Sequence, residues 1–131
     1  GDARALRFWP NRDLLAAGAL LAGGSDWPVM PNPDPWNGME GLVTRRNPSG
    51  EFPGSALWPE QAIDIATALE IFTINSARAI GLADTVGSIE IGKSADFIVL
   101  DRNVLETPAE DIADTRVLAT WFEGRVVHER A

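Results

Sequence analysis

The chain of 131 residues contains no cysteine, no tyrosine, one histidine and, among its basic residues, a single lysine, Lys93. Each shortage excludes something. Without cysteine there is neither a disulfide framework nor a thiolate metal site, and a reducing compartment is permitted; the expected location is the cytoplasm. Long apolar runs are missing too: the longest, Leu14 to Gly24, is interrupted by three glycines and is too short to span a bilayer. No targeting segment is read. Basic charge is scarce, with 11 Lys and Arg against 19 Asp and Glu for a net charge of −8, which argues against a nucleic-acid or anionic-membrane partner. The length fits one domain, able to bury roughly two-thirds of its unfolded surface if it closed on itself.

What the chain does contain is organised by turn residues. Asn11 is placed to cap a short helix Arg12–Ala17, which Gly18 closes as the left-handed residue after the last turn. The run Ala19 to Gly24 shows no alternation and reads as a parallel strand covered on both faces, ending in Gly23-Gly24-Ser25-Asp26. From Trp27 to Pro59, seven prolines and three tryptophans mark a long, stiff loop region. Inside it, Asp34 and Pro35 start a helix running to about Arg45. Asp64 caps a helix Ile65–Phe72 with Ile65, Leu69 and Phe72 on one face, and Thr73 caps a second, in which Ile74, Ala77 and Ile80 recur until Gly81. These apolar positions read as core, and Asn75 and Arg78 as structural hydrogen-bonding residues. Past Gly87 the pattern becomes β. Phe97–Leu100 is a strand entered through Gly92-Lys93, Pro108 to Ile112 suggests one helical turn, and Val117–Phe122 with Arg125–Glu129 form a hairpin across Glu123-Gly124. His128 reads as a surface or packing residue, and Asp96 as an acceptor for turn amides.

Chemistry in parallel sheets sits at strand C-termini. A carboxylate just past a strand's last residue, as Asp26 is, can face a catalytic mouth, where it binds a metal or accepts a proton. Gly-Ser-Asp is equally ordinary turn chemistry, and spacing alone leaves both readings open. A phosphate-cradling role for Gly23-Gly24-Ser25 fails, because Trp27-Pro28 follows where a helix would have to open.

Gly24-Ser25-Asp26-Trp27-Pro28-Val29, then Asp34-Pro35-Trp36, Arg45 and the segment Gly87 to Asp101 (GSIEIGKSADFIVLD) together resemble the C-terminal part of metal-dependent amidohydrolases. Within them the resemblance is to amidohydrolase family 3, which includes N-substituted formamide deformylases. It runs from about Arg12 to Glu129, and its most specific part is the pairing of Gly-Ser-Asp with Gly-Ser-Ile-Glu-x-Gly-Lys-x-Ala-Asp about sixty residues on. The fold implied is α/β: the last strand and helices of a (β/α)8 barrel, plus C-terminal strands of a small β-sandwich domain. Such a barrel alone needs about 250 residues. The chain is accordingly expected to be a fragment, with residues 1–86 as the C-terminal part of the barrel and 87–131 as part of the sandwich.

The resemblance also implies chemistry. Asp26 becomes the catalytic acid of the metal site, general base and then general acid in hydrolysis of C–N bonds other than peptide bonds. Trp27 and Arg45 would line the pocket for a small amide- or formamide-like substrate, while Arg46 reads as surface. The full enzyme would use a divalent metal, zinc, held by histidines from earlier strands that this sequence does not contain. By itself the chain is therefore expected to bind no metal and to be inactive. Its other expected partner is the upstream part of the same polypeptide or another copy of the chain. The alternative is a stand-alone, non-catalytic binding or assembly domain that keeps the amidohydrolase C-terminal fold.

Overall fold

The computed structural model, which describes residues 1–5, 7–50, 54 and 56–130, runs helices first and sheet last. In chain order the helices are α1 (Asp2–Ala5), α2 (Asn11–Ala16), α3 (Pro35–Thr44), α4 (Ile65–Phe72) and α5 (Ile74–Ala79). Strands β1 (Phe97–Leu100), β2 (Val117–Phe122) and β3 (Arg125–Glu129) follow, with 3₁₀ turns at Pro59–Gln61 and Ala109–Asp114. Within the long loop region, residues 51–53 and 55 lie outside the described residues.

Local chemistry accounts for most of these boundaries. Asp34 Oδ1 accepts from the Trp36 amide at 3.0 Å and Pro35 takes the first helical position, so α3 begins where a missing N–H costs nothing. Asp64 Oδ1 does the same for Thr67 at 2.8 Å, starting α4. Two expected caps are not made. Thr73 turns its hydroxyl back to Leu69 O at 2.6 Å and caps no amide of α5, because bonding the previous turn satisfies it locally. Asn11 lies inside α2 and is buried; the Asp13 amide is instead met by Gln61 Oε1 at 3.1 Å, from far along the chain.

The core joins α3, α4 and the 3₁₀ turn before β2: Trp36, Met39, Ala68, Ile71, Val104 and Ile112 form one cluster. It draws residues from both sides of position 86. On α4 the buried stripe is centred on Ala68 and Ile71, with Ile65, Leu69 and Phe72 packed half-buried at its flanks. On α5, Ala77 is buried but Ile80 is exposed, because Gly81 ends the helix there and the chain turns away. Asn75 is buried and accepts from Arg78 Nη1 at 2.8 Å.

The sheet is antiparallel in the order β1-β2-β3. Phe97 pairs with Trp121, their rings stacked at 4.8 Å, and Phe122 pairs with Arg125. Glu123 (φ 49°) and Gly124 (φ 73°) both take left-handed conformations, as a two-residue turn matched to strand twist requires. Asp96 makes that tolerable for a glutamate: its Oδ1 accepts from the Glu123 amide at 2.7 Å and from Ser94 Oγ at 2.8 Å, while Ala95 O accepts from Gly124 N at 3.1 Å.

The expected strand Ala19–Gly24 is not a strand in this chain. A ladder needs a neighbour, and among the described residues the only sheet lies elsewhere. The segment runs extended along α4, anchored where Gly23 N donates to Ile71 O at 3.1 Å.

Candidate active site around Asp26

Leu21, Gly23 and Ser25 are half-buried, and the residues between them, Ala22, Gly24 and Asp26, are exposed. That period of two is the mark of extended backbone lying on one surface. Asp26 then takes φ 52°, a left-handed conformation uncommon outside glycine but tolerated by aspartate, and its carbonyl accepts from Val29 N at 2.8 Å to close a turn. The acid is thus delivered at the end of an extended run and left facing solvent. Trp27 beside it is 64% exposed.

Arg45 behaves differently. It ends α3 in a left-handed conformation (φ 58°) and is buried, with Nε donating to Leu57 O at 2.9 Å and Nη2 to Phe8 O at 2.8 Å. Burial pulls its guanidinium below the usual arginine value. The side chain ties the segment before α2 to the end of the proline-rich loop. No hydrogen bond or ion pair joins it to Asp26 among the described residues.

Glu40, which sequence reasoning passed over, is a buried carboxylate on α3 whose Oε2 accepts from the Ala113 amide at 2.8 Å. Burial raises its pKa above the ordinary glutamate value; the Ala113 bond lowers it, and Asp114, Asp111 and Glu110 raise it further. The only hint in the sequence was a glutamate between Met39 and Leu42 on a helix with an apolar face.

Three polar residues early in the Gly87 to Asp101 segment, Ser88, Glu90 and Lys93, bond one another. Ser88 donates to Glu90 Oε1, Lys93 Nζ donates to Ser88 Oγ at 2.6 Å and pairs with Glu90 at 3.0 Å, and Glu90 is held below its ordinary pKa by the Ser88 bond and then by Lys93. Gly87 (φ 92°) is forced, since a Cβ there would lie 2.6 Å from Ala77 Cβ. The segment is a structural knot against α5.

An open groove of about 620 Å³ lies between the start of α3 and the hairpin, lined by Asp34, Trp36, Thr115, Arg116, His128 and Arg130. It contains none of Asp26, Trp27 or Arg45. Among the described residues, no three His, Cys, Asp or Glu side chains come together as metal ligands would, so the described residues do not by themselves fit a metal ion. No helix among them is long and apolar enough to cross a membrane.

The helices and strands of this chain fit an α/β fold. Residues 1–128 match the amidohydrolase family, and the chain belongs to that family. It is 34% identical over 125 residues to the N-substituted formamide deformylase of Arthrobacter pascens, covering 95% of this chain and 22% of that protein. Similarity to the S-triazine hydrolase of Gordonia rubripertincta is 46% over 68 residues, 51% of this chain and 13% of that one. The solved structure of an amidohydrolase from Thermotoga maritima MSB8 superposes with a TM-score of 0.61 at 27% identity, covering 91% of this chain and 25% of that one. The chain spans about a fifth of the length of the formamide deformylase that it matches.

Proposed function

We propose that this chain is the C-terminal part of a longer hydrolase that cleaves C–N bonds other than peptide bonds in small amide- or formamide-like molecules, with Asp26 as its catalytic acid. Asp26 takes a proton from water as the water oxygen attacks the carbonyl carbon, then gives it to the leaving nitrogen as the C–N bond breaks; a formamide yields formate and an amine. In this reading Ala19–Gly24 is the last strand of the (β/α)8 barrel, residues 1–86 belong to the barrel, and 87–131 belong to the β-sandwich. The divalent metal expected at such a site, zinc, would need its histidines from outside this chain. Trp27 lines the substrate pocket, and Arg45 holds the pocket's loop.

The observation that carries the reading is the delivery of Asp26. An extended segment has one face on α4 and its other, with Leu20 and Ala22 exposed, free to meet a neighbouring strand. The names of the formamide deformylase and triazine hydrolase supply the bond class. In the complete hydrolase, Asp26→Asn keeps the shape but removes the proton-accepting charge, so kcat should fall by about 10²-fold or more. Activity within about threefold of the parent would sink the assignment.

The same exposed apolar face also suits the second reading, a binding or assembly module. The parent reading frame separates the two: an upstream extension carrying His-x-His near its start favours the hydrolase, and a frame without one favours the module.

A further inference from the structure

We propose that the ring of Phe72 is the wedge that positions Asp26: seated against Gly23 and Gly38, it fixes the extended segment ending in the acid, and it can do so only because neither glycine carries a Cβ. This rests on the catalytic reading of Asp26 given above. A Cβ at Gly23 would lie 2.6 Å from Phe72 Cε2 and 2.8 Å from Cδ2 and Cζ, and one at Gly38 would lie 2.8 Å from Cζ; real Cβ atoms do not come within 3.0 Å of such neighbours. The Cε2–Cζ edge of one ring thus faces two backbones, those of the acid's segment and of α3.

The segment has few other holds. Gly23 N donates to Ile71 O, and the Ser76 hydroxyl, bonded to Ile71 O at 2.8 Å, lies 3.4 Å from Gly23 O. Beyond Gly23, no hydrogen bond ties Gly24, Ser25 or Asp26 to α3, α4 or α5 among the described residues. The ring is the last fixed point before the carboxylate, three residues away.

Helix α3 supplies its own control. Glycine inside a helix is disfavoured relative to alanine, and α3 carries two, Gly38 and Gly41. A Cβ at Gly41 would meet nothing closer than Arg46 O at 3.6 Å, an ordinary contact. Steric demand therefore falls on Gly38 alone.

The test uses the complete hydrolase with Gly38→Ala, Gly41→Ala, Phe72→Leu, Asp26→Asn and the pairs that combine Gly38→Ala with the last two. Gly38→Ala should lower kcat about tenfold with KM within about twofold, because displacing a catalytic group by a fraction of an ångström slows chemistry without loosening binding. Gly41→Ala should change neither. Phe72→Leu alone should lower kcat to a similar extent, because the ring that fixes the segment is gone, and Gly38→Ala added to it should cost less than about twofold more, since no ring remains to be displaced. Added to Asp26→Asn, Gly38→Ala should cost less than about twofold, since the group that it misplaces no longer acts. Amide exchange of a peptide covering residues 19–27, read without substrate or metal, should quicken in Gly38→Ala and in Phe72→Leu, and little further in the pair. The wedge is overturned if Gly38→Ala or Phe72→Leu leaves kcat and exchange unchanged, if the two losses add in full, or if the full loss of Gly38→Ala persists on Asp26→Asn. Full activity of Asp26→Asn alone would instead remove the catalytic reading, and the wedge's role in it.

Discussion

Two segments of this chain read alike and fold differently. Ala19–Gly24 and Phe97–Leu100 are both short runs of apolar or small residues without alternation, yet the second pairs with β2 along its length while the first lies extended and unpaired on α4. The difference is the neighbour. Phe97–Leu100 has its partner some twenty residues downstream, already folded back on itself by a two-residue turn and fastened by Asp96. Ala19–Gly24 is offered only helices, and a helix surface can accept its apolar face and one amide but cannot supply a ladder. A strand is thus a relation between segments, and composition identifies a candidate for that relation without naming who completes it.

The comparison can be sharpened most by amide exchange on the 131-residue chain. Amides of residues 20–22 should exchange at least about 100-fold faster than those of β2, since local opening costs little where no ladder exists. Equal protection would mean that Ala19–Gly24 finds a partner after all, and sizing would then show whether it is a second copy.

A second, smaller effect would break the comparison from the other side. Gly124→Val puts a β-branched residue at φ 73°, which should cost about 1–3 kcal/mol in urea denaturation and strip protection from β1 as well as from the hairpin. If β1 keeps its protection while the turn is lost, its order does not depend on β2.

The smallest effect concerns what brings β2 into place. Glu40 holds the Ala113 amide four residues before β2 begins, and its carboxyl titrates above the ordinary value because it is buried. A raised acid binds its proton more tightly in the folded state than in the unfolded one. Its contribution therefore makes stability fall as pH rises from the ordinary glutamate value up through the raised one. Glu40→Gln keeps an oxygen for Ala113 and cannot ionise, so the slope across that window should flatten, with a slight gain at neutral pH. An unchanged slope in thermal melts from pH 4 to 7 would show that another group sets it.

How far the fold was legible follows the range of the forces involved. Caps at Asp34 and Asp64, the strand at Phe97, the turn at Glu123-Gly124 and the role of Asp96 all depend on residues a few positions apart or on unambiguous turn chemistry, and each was readable. Asn11 was misread because the amide that it might have capped is served by Gln61, which no local pattern reveals. Ile80 was read as core from its spacing, although the helix ends beside it. For the candidate site, the proposal of Asp26 comes from its place after an apolar run taken together with the family resemblance. Phe72 was not legible in this way, because its importance lies in two glycines that it touches from far along the chain. Gly38 was the available signal: a glycine in the middle of a capped helix asks for a reason.

The absence of tyrosine gives the exposed Trp27 an optical consequence. With no tyrosine beside them, five indoles dominate the near-ultraviolet emission, and these sit in unlike surroundings: Trp36 is 3% exposed, Trp121 is stacked on Phe97, and Trp9 and Trp27 are more than half exposed. Indole emission shifts to the blue when water is removed from the ring. Trp27 follows Asp26 directly, so whatever comes to cover the acid, be it substrate or another stretch of polypeptide, dries a fluorophore that the chain already carries one residue from the carboxylate.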